Sequence, residues 1–278
     1  MKYYHNHDFT YKKLYADNLQ LQKFLFQEAE NFDFQTMEEN LNSVGKFVKD
    51  ILHMSMFVDI KNILIVGCGT GDLAFWLASR GFNVLGIDVS IRAIEIANQR
   101  LLSLPFRKRI NFLNMDVTLL SIDNKFDLII DDHCLHCLVD NTDRALYYQK
   151  VREHLKPNAH LMIETIFHED NFIPPENFIL DDGLILWQKT NNENDSYFNK
   201  VMYRESYYIP VRKLIKSYDF EQEILKFDLK LIYFVFRSDL RVQLQTTSCS
   251  LQDPLQIPAQ TQSPAVVRAI ASRCNHNL

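Results

Sequence analysis

Residues 63–71, Ile-Leu-Ile-Val-Gly-Cys-Gly-Thr-Gly, constrain this chain more than any other stretch. Ile63 to Val66 suits a buried strand, and a strand does not continue through glycine at every second position. The chain holds only seven glycines, and five of them fall between Gly67 and Gly86. A chain that uses glycine so sparingly places it where a side chain would collide or where φ must be positive. Asp72 and Leu73 then open a helix with Leu73, Leu77 and Ala78 on its apolar side, stopped by Gly81 at C′. Strand, glycine turn and helix together aim backbone N–H groups and the positive end of a helix at the crevice beyond the strand ends. The motif therefore predicts a ligand site.

The same alternation continues downstream. Asn83 to Asp88 reads as a second strand, and Ser90 as the N-cap of a helix carrying Ile91, Ile94 and Ala97 that ends before Pro105. Ile110 to Met115 is a third strand closed by Asp116, and Phe126 to Ile130 a fourth. A polar break at Asp140 to Thr142 precedes a helix through Val151 and Leu155, Pro157-Asn158 ends it, and His160 to Ile166 is a fifth strand. Strand and helix alternating at this spacing predict an α/β fold with a doubly wound, mainly parallel sheet covered on both faces.

Two flanks surround this core. Residues 1–60 form an N-terminal helical cap by pattern, with a capping box at Thr36 and Glu39 followed by Leu41, Val44, Val48, Ile51 and Leu52 at helical spacing. Within the main domain, 61–240, the stretch 167–208 is an aromatic insertion, and a few of its rings are expected to reach the pocket. Thr190 to Ser196 is a polar tract that predicts a loop, and Pro210 suits the first turn of a further helix. Glu223 to Phe227 and Leu231 to Phe236 read as a terminal antiparallel hairpin. Residues 241–278, rich in Gln, Ser, Thr and Pro, are expected to be a disordered tail with a weak helical signal at Ala265 to Ile270.

Composition narrows the function classes. At 278 residues, 47% hydrophobic and 23% charged, the chain carries enough apolar material for one full-sized core. A net charge of −5 offers no concentrated positive face for nucleic acid or an anionic membrane, so neither partner is expected. No run approaches the roughly 18 apolar residues that span a bilayer, and Met1 to Thr10 lacks the apolar stretch of a secretory signal. Five cysteines, an odd number, resemble reduced intracellular thiols, so a cytoplasmic location is expected.

The details of the motifs indicate which ligand. A dinucleotide fingerprint, G-x-G-x-x-G, would need a glycine at Asp72, whereas the chain reads G-x-G-x-G. Asp88, at the end of the second strand, is placed to accept both hydrogen bonds of a vicinal diol, and Asp116 ends the third strand. The fourth strand runs into Asp131-Asp132-His133-Cys134-Leu135-His136-Cys137. No second Cys or His pair stands at zinc-site spacing, so no metal is assigned there. A redox pair at Cys134 and Cys137 is disfavoured, because such a pair opens the helix after a first strand. His133 and His136 have the chemistry of a base near pH 7, and the alternative for each is packing or hydrogen bonding within the connection.

Four motifs in order, Val66-Gly67-Cys68-Gly69-Thr70-Gly71, Gly86-Ile87-Asp88-Val89-Ser90, Asn114-Met115-Asp116-Val117 and Phe126-Asp127-Leu128-Ile129-Ile130-Asp131, make Lys61 to Ile166 resemble the class I S-adenosylmethionine-dependent methyltransferases. The resemblance implies a seven-stranded Rossmann-like sheet ending in an antiparallel strand, and S-adenosylmethionine as cofactor. It implies that Gly67, Cys68, Gly69 and Gly71 lie against the aminoacyl and ribosyl portions, and that Asp88, followed by Val89, takes the ribose hydroxyls. Asp116 and the Val117 N–H would hold the adenine, Asp131 would lie near the methionyl portion, and His133 or His136 would orient or deprotonate the acceptor. A small-molecule methyl acceptor is expected, since no recognition domain is attached. The alternatives are a protein methyltransferase and a non-catalytic scaffold, and the oligomeric state is open.

Overall fold

In the computed structural model, which describes residues 2–8, 34–39, 41–170, 172–190, 199–237 and 265–273, β1 (Asn62–Val66) lies inside a seven-stranded sheet. It pairs in parallel with β2 (Asn83–Asp88) on one side and with β4 (Phe126–Asp131) on the other. β3 (Ile110–Asn114) extends the parallel set beyond β2, and β5 (Leu155–Phe167) extends it beyond β4. The register sets Val66 opposite Ile87 and Asp131, and Asp88 opposite Asn114. The chain therefore leaves these strands along one sheet edge, where the glycine turn and the strand-end acids gather.

Both faces of the sheet are covered, which is why β1 is apolar at successive positions. Ile63 and Ile65 pack with Val44, Phe47 and Val48 of α2 (Ser43–Ile51) and with Leu73, Ala74 and Leu77 of α3 (Asp72–Ser79); α1 (Phe34–Glu39) precedes them in the chain. α4 (Ile91–Leu101) adds Ile94 and Ala97 to the same layer. Leu64 and Val66 pack on the opposite face with Tyr147 and Val151 of α5 (Asn141–His154) and with Phe220 and Ile224 of α6 (Ser217–Leu225). α3 is buried almost all round because the cap lies over it, with Trp76 Nε1 donating to Glu38 Oε1 at 3.2 Å. Ser90 caps α4 through the Ala93 N–H (3.2 Å) and Asp140 caps α5 through the Thr142 N–H (2.7 Å), each worth about 1 kcal/mol.

The sheet is completed from the end of the chain. β10 (Leu229–Arg237) and β11 (Ala265–Arg273) close it in the order β10-β11-β5-β4-β1-β2-β3, with β11 antiparallel to both neighbours. This corrects the expected tail: Ala265 to Ile270 is strand, neither helix nor disorder, and Val267 to Ala271 are buried. Val267, Ala269 and Ala271 fill one face and Ile270 the other. The expected hairpin is corrected with it, since Glu223 to Leu225 belongs to α6 and the strand beside β10 is β11. Residues 238–264 lie outside those described.

The aromatic insertion forms a second, antiparallel sheet in the order β6 (Phe178–Leu180), β7 (Ile185–Thr190), β9 (Ser206–Lys213), β8 (Val201–Tyr203). Pro210 stands within β9 opposite Trp187 and starts no helix. Thr190 ends β7; the rest of the polar tract, 191–196, and the first part of the helical cap, 9–33, lie outside the described residues. Thr36 lies inside α1; the helix bearing Val44, Val48 and Ile51 is opened by Asn42, whose side chain accepts the Gly45 N–H at 2.8 Å.

Candidate active site

A cleft of about 500 Å³ opens at the carboxyl ends of the parallel strands. Its floor is the glycine turn, with φ of +77° at Gly67, +52° at Gly69 and +96° at Gly71. The Gly67 and Cys68 N–H groups both donate to the Ile87 carbonyl, at 2.9 and 3.0 Å, so the turn is tied to β2. At Gly67 a Cβ would stand 2.8 Å from the Asp132 carbonyl oxygen, so only glycine lets the turn close against the loop after β4.

Two acids line the β2 and β3 side. Asp88 is buried, with Oδ1 accepting the Ser90 N–H at 2.8 Å and Oδ2 the Gly69 N–H at 2.9 Å. Burial pushes its carboxyl up, opposed by those N–H groups. Each oxygen retains a lone-pair direction, and the group is aimed into the cleft. Asp116 accepts from Thr118 N (2.9 Å) and Thr118 Oγ1 (2.8 Å) on one oxygen and from the Tyr4 hydroxyl (2.6 Å) on the other. Val89, Met115, Val117 and Leu138 supply apolar wall between them. The Val117 N–H stands first in its 3-10 turn, where no carbonyl of the turn reaches it.

The N-terminal segment covers this end of the cleft. Asp8 Oδ1 accepts from Ser90 Oγ (2.8 Å) and the Arg92 N–H (3.1 Å), and the Tyr3 hydroxyl accepts from the Val139 and Asp140 N–H groups (2.7 and 3.1 Å). Tyr4 and His7 are thereby held against the opening. Burial brings the His7 imidazole down to about 4, and the Arg212 cation adds to that.

The loop after β4 carries a polar network. His133 has φ +66°, uncommon for a residue with a side chain, and its ring lies between two carboxylates. Nδ1 is 3.1 Å from Asp132 Oδ1, and Nε2 is 2.9 Å from Glu164 Oε1 on β5. Glu164 is 3% exposed and also accepts from Ser43 Oγ and from Arg268 Nε of β11, the latter at 2.9 Å. Asn42 Nδ2 donates to Asp132 Oδ1 at 2.8 Å, and Arg268 Nη2 to the Ser43 carbonyl at 2.8 Å. Burial opposes a charged imidazole, but Asp132 and Glu164 outweigh it and raise His133 to about 10. Burial likewise opposes the Glu164 carboxylate, which His133, Ser43 and Arg268 bring down to about 2. His133 therefore holds its proton at neutral pH and cannot receive another.

Of the residues singled out in the sequence, Gly67, Cys68, Gly69, Asp88, Val89, Asp116, Val117 and His133 line the cleft together. Gly71, Asp131 and His136 do not. Gly71 N-caps α3. Asp131 is fully buried behind the lining, accepting the Cys134 and Leu135 N–H groups at 2.9 Å each, and burial raises it to about 7. It shapes the loop, and its neighbour Asp132 faces the cleft, because successive residues leaving a strand point to opposite sides. His136 is 4% exposed, its Nδ1 has no partner, and burial lowers its pKa. None of the described aromatic residues of the insertion lines the cleft; Arg212, four residues past its last tyrosine, does. Tyr4, His7, Asn42 and Arg212 carried no local signal, since they arrive from three stretches distant in the chain: the N-terminal segment, the residue before α2, and β9.

The sequence profile of a family described as a methyltransferase domain matches residues 58–225. A protein of Arabidopsis thaliana named probable thiol methyltransferase 2 is 32% identical over 121 residues, 43% of this chain and 53% of that protein. A ubiquinone biosynthesis O-methyltransferase of Rickettsia typhi is 35% identical over 104 residues, 37% of this chain and 40% of that protein. The chain thus spans about half, or less, of the length of these curated relatives. A crystal structure of an S-adenosylmethionine-dependent methyltransferase from Clostridium acetobutylicum superposes with a TM-score of 0.55 at 16% identity, covering 89% of this chain and 98% of that one. The CcbJ methyltransferase from Streptomyces caelestis gives 0.57 at 13% identity, covering 86% and 96%. At these identities the structures establish a shared fold.

Proposed function

The chain belongs to the methyltransferase-domain family, and from that premise we propose that it transfers a methyl group from S-adenosylmethionine to a small-molecule acceptor. The observation that carries the proposal is the donor set at the strand ends. Asp88, with both oxygens anchored and directions left over, suits a ribose diol. Asp116 and the Val117 N–H, between apolar walls, suit the edge of an adenine. The backbone of Gly67 to Thr70 leaves room for the amino-acid end; Asp72 is paired with Arg100 at 2.6 Å, and Asp132, whose Oδ1 is held by His133 and Asn42, keeps Oδ2 to complement the ligand's ammonium or sulfonium. The residues present fit the cofactor.

When bound, the cofactor supplies an electrophilic methyl on a sulfonium, which needs an in-line nucleophile more than acid or base assistance. The protein's part is then to position and to exclude water. The N-terminal segment closes one side through Tyr4 and His7, and the network of Asp132, His133, Glu164 and Arg268 fixes the loop on the other. His133 acts in this reading as a fixed cation that orients Asp132, in place of the base expected from sequence. His136, buried behind the lining, supports the packing of the loop. The naming of relatives for thiol and ubiquinone-pathway acceptors supports a small molecule. The free thiols Cys68, Cys134 and Cys137 support a reducing, cytoplasmic setting.

Incubating the protein with methyl-labelled S-adenosylmethionine and a cell extract, then separating products by size, tests the acceptor class. Label is expected in the low-molecular-weight fraction. Label confined to protein or nucleic acid would replace the small acceptor with a macromolecular one.

A further inference from the structure

Building on the methyltransferase reading above, we propose that the acceptor is bound as an anion and that Arg212 is the residue that selects it. Arg212 is the only lysine or arginine among the described residues that line the cleft; the other formal charges there are Asp72, Asp88, Asp116, Asp132 and the His133 imidazolium. A cleft built for a cation has no need of a guanidinium unless something negative must also enter. Arg212 is held by its strand, since Val211 packs into the small core of the second sheet. Its Nη1 donates to the Val211 carbonyl at 2.7 Å, and among the described residues it has no carboxylate partner. Most of its fork of donors is left for a ligand, and that fork matches a carboxylate or similar compact anion.

Its place in the cleft separates it from the cofactor's amino-acid end. β9 packs against the turns at Tyr3–His5 and Leu135–Cys137, so Arg212 stands between the N-terminal segment and the loop after β4. Against the cost of burial its charge lowers the Cys137 thiol, and it adds to burial in lowering His7 and His136. Burial and nearby aspartates dominate the upward shifts of Cys68 and Cys134 beside the glycine turn. Arg212, His7 and Cys137 line one cleft, and β9 packs on the turns that carry or adjoin them.

The same choice accounts for the lack of an obvious base. His133 is held protonated between two carboxylates, and His136 does not line the cleft. An acceptor attacking as an anion needs neither. Its lone pair forms the bond to the methyl carbon as the carbon–sulfur bond breaks, the pair stays on sulfur as a neutral thioether, and the acceptor loses its negative charge with no proton to move.

Two carboxylates are candidates for Arg212, the acceptor's and the cofactor's own, and one experiment separates them. Protein saturated with S-adenosylhomocysteine is screened by ligand-observed NMR against small carboxylic acids, each paired with its primary amide. Wild type, Arg212→Gln and Arg212→Lys are compared, and the affinity of each for the product S-adenosylhomocysteine is measured first by calorimetry. The expected result is a preference of about ten-fold or more for acids in wild type, lost in Arg212→Gln and largely kept in Arg212→Lys, with product affinity within about two-fold throughout. No acid preference in wild type, or one that survives in Arg212→Gln, overturns the proposal. So does a fall of about ten-fold or more in product affinity in Arg212→Gln, which would assign the cation to the cofactor's carboxylate. Failure of wild type to bind the product at all would overturn the methyltransferase reading itself, and it is seen before any acid is added.

Discussion

Replacing Glu164 by Gln removes one charge from a side chain that is 3% exposed while keeping its shape. The carboxylate accepts from Ser43, His133 and Arg268, and Arg268 has no other carboxylate partner among the described residues. An amide offers one oxygen and must turn an NH₂ either toward Arg268 or toward Ser43 and His133. Losing one partner of a buried pair costs about 3–5 kcal/mol. Arg268 is buried and bears most of that cost, while His133, 37% exposed at its side chain, is partly hydrated and bears less. A loss of about 3–4 kcal/mol is therefore expected, or roughly 6–16 °C in Tm. The pH dependence follows from the shifts. Glu164 is depressed from 4.5 to about 2, so its contribution is present above 4.5 and lost as pH falls toward 2. His133 is raised from 6.5 to about 10, so its contribution is present below 6.5 and lost as pH rises through 10. Urea denaturation of wild type and Glu164→Gln should differ most between pH 4.5 and 6.5, converge as pH falls toward 2, and narrow through pH 10 only by the smaller His133 share, because the Arg268 pair persists. A difference below about 1 kcal/mol, or one independent of pH, would refute the network's role.

Ending the chain at residue 264 removes β11, exposing the edges of β5 and β10 and deleting the buried Val267, Ala269, Ile270 and Ala271. That is about 5 kcal/mol of apolar burial before the loss of Arg268 from Glu164 is counted, so loss of cooperative unfolding and binding of a hydrophobic dye are expected; a sharp melt within a few degrees of wild type would contradict it. Gly67→Ala sets a Cβ 2.8 Å from the Asp132 carbonyl at φ +77°, and should cost about 2–4 kcal/mol by chemical denaturation. An unchanged midpoint would mean that the turn relaxes freely.

What the sequence made legible was local. β1 and β4 are apolar at successive positions because both sheet faces are covered there, and the acids at Asp88 and Asp116 follow at the strand ends, so fold and cofactor side were readable together. β11 was not, because its three alanines and two arginines have little strand character; small residues suit a strand pressed between helical layers, a fact about neighbours distant in the chain. His133 was legible as a site residue, but its protonation depends on Glu164, 31 residues on, itself held by Arg268 a further 104 residues away. Arg212 and Asn42 are in the same position: an isolated arginine in a strand and an asparagine before a helix read as ordinary until the topology brings both to one cleft.

The most direct measurement is calorimetric titration of the purified protein with S-adenosylmethionine, S-adenosylhomocysteine and NAD, repeated on Asp88→Ala. Binding of the first two in the micromolar range, none of the third, and a loss of about 1–3 kcal/mol in Asp88→Ala are expected. No binding of either sulfur ligand, or unchanged affinity without the Asp88 carboxylate, would contradict the assignment of the cleft.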